Sequence, residues 1–482
     1  MKNKFILTLI FLSVLINILS FNKVQDWGDD FAGYVIQAKT IHTGNYSDLE
    51  SSIKRNDFIL NYPWGFPILI SPLIKYFDSH IVIIKMYIFL FFLASLIVLF
   101  YLFRDDKETS LLTILLVSSS PYFWEFKNYI LADIPNLFFV LLTLFTANRF
   151  LIKGKTVVND YFTCFIIGAL VFASYMIRNQ SVVILPAIIL VQIIRFRGHI
   201  FSFKKILLII IPIIVFLILL MVQPAFIPIK SVTYLDQYAN LQLGKTVWDN
   251  IFYYTNIWEE LFATTNVISN VASVFTGFFI TFVFIGVFTR VKEHILLLAF
   301  SGITIILVLI SPFHQGVRYL IPVVPFLFYF FITGFRYVVF HIYTRGKIKY
   351  TVYYSVVGII IFLSIKTIFV YTWQSSISQQ EVEGPYKKTS IEMFDYIRNN
   401  SAKNEIIGFC KPRAMLLYTG RNAVIPMSYE ACIKRNTRYL VYYKNAIAEQ
   451  LPLDSVRSHQ DNLRQVFWNQ DFIVYKIGRP DF

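Results

Sequence analysis

Apolar side chains along this chain run in long blocks separated by short polar stretches. Blocks suited to helices fall at residues 5–21, 81–103, 111–123, 133–150, 161–177, 180–194, 206–222, 267–289, 295–311, 318–340 and 351–371. A helix of roughly 20 apolar residues spans the hydrocarbon core of a bilayer, so the pattern predicts about eleven crossings. The block at 111–123 is short and runs into Ser118-Ser119-Ser120-Pro121. It is expected to break there and to be covered by protein, because lipid leaves freed backbone groups without partners.

Composition agrees with the pattern. The 482 residues are 56% hydrophobic and only 15% charged, against about 25% charged in soluble globular domains. A water-soluble protein is excluded. The 44 basic and 29 acidic residues leave a net charge of +15, which in a soluble chain would suggest nucleic acid. Here the basic residues sit in alternate connections: Lys2 and Lys4; Arg104 and Lys107; Arg149, Lys153 and Lys155; Arg195, Arg197, Lys204 and Lys205; Arg290 and Lys292; Arg345, Lys347 and Lys349. By the positive-inside rule these mark the cytoplasmic face, and no nucleic-acid partner is expected. The predicted fold class is mainly α, a polytopic helical bundle over residues 1–371 that includes an outer loop at 22–80. A small extracytoplasmic α/β domain follows at 372–482. The N-terminus is placed in the cytoplasm. No small-x-small cleavage site follows the first block, so residues 1–21 read as a retained anchor and not as a secretory signal.

In the outer loop, Phe31, Tyr34, Val35, Ala38 and Ile41 make one helical stripe, whereas Asn61-Tyr62-Pro63-Trp64-Gly65-Phe66-Pro67 is expected to be irregular. After residue 372, an amphipathic segment at 388–398 is followed by strand-like stretches at 405–409, 438–443 and 472–477. Cys410 and Cys432 fall in this region, as a disulfide or as two buried thiols, and Cys164 lies in a span.

The informative charges are on the outer side. Asp29 and Asp30 are adjacent carboxylates whose repulsion raises the pKa of one of them, or else they cap the helix that follows. Asp133 opens a span in Ala132-Asp133-Ile134-Pro135, which is again a capping signature. Arg178 stands in a tight turn, Arg318 follows His314-Gln315-Gly316, and Lys85 lies one turn inside the second block. A cation at the bilayer centre costs about 2.5–3.5 kcal/mol, so partners are expected: either the three carboxylates or an anionic lipid head group.

Asp30-Phe31-Ala32-Gly33-Tyr34 with Ala38, Tyr62-Pro63-Trp64-Gly65-Phe66-Pro67, Ala132-Asp133-Ile134-Pro135, and Arg318-Tyr319-Leu320-Ile321-Pro322-Val323-Val324-Pro325-Phe326 together resemble the landmarks of GT-C-type membrane glycosyltransferases. The branch is the bacterial one related to dolichyl-phosphate-mannose protein mannosyltransferases and lipid A aminoarabinose transferases. Tyr418-Thr419-Gly420-Arg421 is similar to part of their outer domain. The chain departs from the commoner pattern in having Phe31 after Asp30 and Asp29 before it, which leaves open which of the two acids is essential.

The resemblance implies a bacterial inner-membrane enzyme that moves a hexose or pentose, with inversion, from a polyprenyl-phosphate donor to an extracytoplasmic acceptor. It implies Asp30 or Asp29 as the base, with Asp133 orienting the acceptor or sharing the proton. Arg318, Lys85 and Arg178 would hold the donor phosphate. Tyr34, Tyr62, Trp64 and His314 would line the substrate pocket, although interface aromatics also serve as membrane-belt residues. Mg²⁺ or Mn²⁺ beside the phosphate is a further option, with no ligand set legible in the sequence. The alternative from another class is a transporter or flippase of lipid-linked saccharide, against which stands the absence of paired halves with matching broken helices.

Overall fold

The computed structural model describes residues 2–478 except 29, 56–61, 155–158, 196–201, 230–241, 263–268, 344–345, 374–381 and 447–448. Asp29, Asn61, Lys155, Arg197 and Arg345 therefore lie outside the described residues. The architecture is mainly helical with one small sheet. Among the described residues, five helices are long and apolar enough to cross a membrane: Ile81–Leu102, Asp160–Ile177, Phe203–Phe226, Val324–Ile342 and Gly346–Thr372. A bent pair, Pro121–Asn128 and Asp133–Arg149, adds a sixth if it counts as one span, and shorter apolar helices accompany them.

Local chemistry sets the breaks that matter. The Lys107–Ser119 helix starts at Asp106, whose side chain accepts from the Thr109 N–H at 3.2 Å. It stops before Pro121, which has no N–H to continue a helix but suits the first turn of the next one. The Pro121–Asn128 helix and the following one then meet at 109°. This elbow is buried and tied to the first helix: the Lys127 ammonium donates to Asn17 Oδ1 at 2.8 Å and Ser20 Oγ at 2.7 Å. Asp133 sits at the start of the second arm of the elbow.

The expectation of irregular backbone through Pro67 is corrected: Gly65–Phe77 is a helix, with Pro67 in its first turn, where no N–H is required. Gly65 is needed there because a Cβ would come within 2.5 Å of the Met176 carbonyl carbon.

Residues 388–477 contain a five-stranded sheet of order β2-β1-β3-β5-β4. β1 (Ile406–Gly408) pairs in parallel with β2 (Ala423–Val424) and β3 (Thr437–Tyr443), while β5 (Phe472–Ile477) runs antiparallel to β3 and to β4 (Leu463–Trp468). The core of the sheet takes in one residue from far upstream. Trp27 is surrounded by Phe394, Phe409, Tyr443 and Phe472 at centroid distances of 5.8–6.3 Å, and its indole N–H donates to the Tyr443 hydroxyl at 3.3 Å. Burial of this ring fixes the chain three residues before Asp30 to the sheet. Trp27→Ala is expected to lower stability by about 3–5 kcal/mol, measured as an earlier unfolding midpoint and faster proteolysis within residues 388–477. Cys164, Cys410 and Cys432 are buried free thiols, the last two in separate apolar clusters, so the disulfide alternative is not realised.

Candidate functional site

Two carboxylates and three guanidiniums meet at the ends of five elements. Asp30 begins the Asp30–Thr43 helix, Asp133 begins the Asp133–Thr146 helix, and Arg178 ends the Asp160–Ile177 helix. Arg318 lies in the 3-10 turn Gly316–Leu320, and Arg413 in the first turn of Pro412–Thr419. The Arg318 side chain bridges both acids: Nη1 and Nη2 donate to Asp30 Oδ2 at 3.3 Å, and Nε donates to Asp133 Oδ2 at 3.3 Å. Arg178 Nη1 lies 2.8 Å from Asp133 Oδ1, and Arg413 Nη1 donates to Asp30 Oδ1 at 3.0 Å. The Tyr62 hydroxyl donates to the same Asp30 oxygen at 2.7 Å. Among the described residues, these three guanidiniums and two carboxylates leave one net positive charge.

The two acids differ in access. The Asp133 side chain is fully buried, whereas 32% of the Asp30 side chain is exposed. Neither serves mainly as a helix cap. Asp133 lies one residue inside its helix, and both oxygens of Asp30 are taken by side chains from other elements. Burial works to raise the Asp30 pKa, but Arg318, Arg413 and the Tyr62 hydroxyl hold it below the ordinary carboxylate value. The upward shift expected for one of the adjacent acids does not fall on Asp30, because cations surround it; Asp29 lies outside the described residues. Burial and the Asp30 charge push the Tyr62 hydroxyl upward, so it stays protonated and donates.

Several sequence expectations change. Tyr34 and Tyr62 are both buried and stack on each other at 4.5 Å, backing the Asp30 carboxylate instead of presenting open faces to a sugar. Gly33 permits that approach, since a Cβ there would meet the Tyr62 ring at 2.7 Å. Gln37 clamps the loop by donating to the Tyr62 carbonyl at 3.0 Å and accepting from its N–H at 3.2 Å. Trp64 has no exposed surface and packs with Leu49, Met176 and Ile227, so it cannot stack on a ligand. Lys85 is buried, with its ammonium on the Val24 carbonyl, and supports the strand of chain leading to Asp30. His314 stacks on Tyr253 at 4.2 Å and hydrogen-bonds Asn250 Oδ1 through Nε2 at 2.7 Å, bracing the loop before Arg318.

Arg413 was not legible as a site residue. Its only local signal is a cation placed in the first turn of a helix, where the helix dipole disfavours it. Asp30 and Asp133 commit their oxygens to guanidiniums and a phenol, a donor set that does not fit a divalent cation.

No family model matches the chain, and no curated protein matches it. Among solved structures, ArnT from Cupriavidus metallidurans bound to undecaprenyl phosphate superposes with a TM-score of 0.62 at 9% identity, covering 100% of both chains. The archaeal oligosaccharyltransferase AglB from Archaeoglobus fulgidus, in complex with an inhibitory peptide and a dolichol-phosphate, superposes with a TM-score of 0.56 at 12% identity, over 92% of this chain and 70% of that one. In fold, the chain resembles the GT-C type.

Proposed function

We propose that this GT-C-like membrane protein is an inverting glycosyltransferase that takes its sugar from a polyprenyl-phosphate donor and delivers it to an acceptor outside the cytoplasm. The observation that carries this reading is the Arg318 bridge between a buried and a part-exposed carboxylate, with Arg413 and Arg178 completing the ring of cations. The lipid phosphates named in the similar ArnT and AglB structures support a lipid phosphate as the carrier. On this reading the bundle makes about eleven crossings, residues 1–371 form it, residues 372–482 lie outside, and the protein resides in a bacterial inner membrane with its N-terminus in the cytoplasm.

The chemistry follows from the geometry. The acceptor hydroxyl gives its proton to Asp30, its oxygen attacks the anomeric carbon from the face opposite the phosphate, and the bond from that carbon to the phosphate oxygen breaks. The leaving group departs as a phosphate monoester, which requires positive charge and no proton. Arg318 and Arg413 supply that charge from fixed positions. Asp133 is a positioning residue: it is buried under Arg178 and Arg318 and aims them, in place of the acceptor-orienting role expected from the sequence.

Free Asp30 is a weak base because its cations hold its proton affinity down. An incoming donor phosphate competes for Arg318 and Arg413, and each guanidinium drawn away makes Asp30 more basic. Donor binding thus primes the base.

Purified protein given a labelled lipid-linked sugar should form a new glycosidic bond. Arg413→Gln removes one charge-assisted hydrogen bond, so the donor KM should rise by about 10- to 100-fold with a smaller change in kcat. Movement of the lipid across vesicles without bond formation would instead support a flippase.

A further inference from the structure

A cavity of about 840 Å³ opens at the other end of the bundle from Asp30. Arg318 lies in the 3-10 turn shortly before the Val324–Ile342 helix, and Arg336, Phe340 and His341 line this cavity toward that helix's far end, Phe340 roughly 24 Å along it. The cavity belongs to the end where the basic connections gather, away from Asp30.

Its walls hold an excess of cations. Lys153, Arg195, Arg290, Lys292 and Arg336 face Asp105, Asp106 and Glu293. Asp106 is shared by Arg290 at 3.7 Å and Arg336 at 3.5 Å, Glu293 pairs with Arg290 at 2.7 Å, and Lys153 pairs with Asp105 at 3.1 Å. Arg195 and Lys292 form no ion pair among the described residues. The surplus is therefore two positive charges, the complement of a phosphate monoester, which carries about −1.5 to −2 at neutral pH.

The same wall holds a buried, neutral histidine that adds no charge to the count. His294 lines the cavity and is only 5% exposed, and its Nδ1 has no hydrogen-bond partner among the described residues. Nε2 lies 3.1 Å from the Tyr329 hydroxyl, and the ring is wedged edge-on against Phe103 and Tyr329, which stack on each other at 3.8 Å. Burial lowers its pKa to about 4, so the ring is neutral. With Nε2 accepting from Tyr329, Nδ1 carries an N–H that is enclosed behind the cavity surface. His294 also stands at the N-terminus of the Ile295–Leu309 helix and makes no side-chain cap hydrogen bond.

We propose that this cavity is a ligand site, specific for a phosphate monoester, with Arg195 and Lys292 as its free cations. The ligand is either the head group of an isoprenyl phosphate lipid, its chain leaving past Phe340, or a water-soluble phosphate ester. The site stands independently of the Asp30 reading.

Native mass spectrometry of the detergent-solubilised full chain tests it, with a short-chain isoprenyl phosphate and inorganic phosphate as separate probes. Arg195→Gln/Lys292→Gln should lose one bound phosphate relative to the parent, with affinity at that site about tenfold or more weaker. The charge-conserving Arg195→Lys/Lys292→Arg should keep it. Retention of the isoprenyl probe alone identifies a lipid head group, and retention of both probes identifies a soluble ester. Equal binding by the parent and the Gln variant overturns the proposal, as does equal loss in both double variants, which would trace to packing and not to charge.

Discussion

Asp30→Asn is expected to lower sugar transfer by about 10²- to 10⁴-fold, the range associated with a positioned general base. Asn keeps the shape of Asp and one acceptor oxygen for the Tyr62 hydroxyl, so the loss should fall on kcat. The donor KM should stay level or drop, because removing the Asp30 charge leaves Arg318 and Arg413 freer to hold phosphate. On the proposed reading, the acid limb of the parent protein carries a second signature. In the free protein the two arginines and Tyr62 keep Asp30 ionised to below the ordinary carboxylate range, so kcat/KM should hold until pH falls below that range. Once donor phosphate occupies the arginines, the lowering influence weakens and the Asp30 pKa rises. The acid limb of kcat should therefore lie at higher pH than that of kcat/KM. Initial rates across pH with a labelled lipid-linked sugar measure both. Unchanged turnover in the Asn variant would remove Asp30 as the base.

Arg318→Gln should be the most damaging change on the cationic side. It removes the side chain that touches both acids and leaves Asp133, with no exposed surface, held by Arg178 alone. Transfer should fall by about 10²- to 10³-fold, as when one fixed donor to a developing anion is deleted. Stability should fall by about 3–5 kcal/mol from the broken buried pair. Arg318→Lys separates the two effects. A single ammonium cannot reach Asp133 with one group and Asp30 with two others, so it should restore part of the stability and little of the transfer. Thermal unfolding and donor kinetics on the same preparations read the two losses independently.

What the sequence disclosed was set by which interactions are local. Apolar blocks and basic connections are local properties, and so is the break at Ser120-Pro121, where Pro121 opens the second helix. The motifs around Asp30, Asp133 and Arg318 could be read because each keeps its few residues together, and the structure brings the three side chains into contact. Arg413 could not be read, since 383 residues separate it from Asp30 and its delivery depends on Trp27 being anchored in the sheet core. The roles of Lys85, Trp64 and the two tyrosines turned on burial. An outer-face cation and an interface aromatic look alike in sequence whether they meet a ligand or a backbone carbonyl. Pro67 misled for a related reason: its effect on a helix depends on position, and the first turn tolerates it.

A glycosyltransferase of the proposed kind breaks the bond between a sugar and an isoprenyl phosphate at the Asp30–Arg318 cluster. Phosphorus NMR of the purified protein with a polyprenyl-phosphate-sugar fraction and an acceptor extract observes that event itself, as a phosphodiester resonance converting to a phosphomonoester. The account predicts conversion by the parent and almost none by Asp30→Asn; no conversion by the parent, or equal conversion by the two, would contradict it.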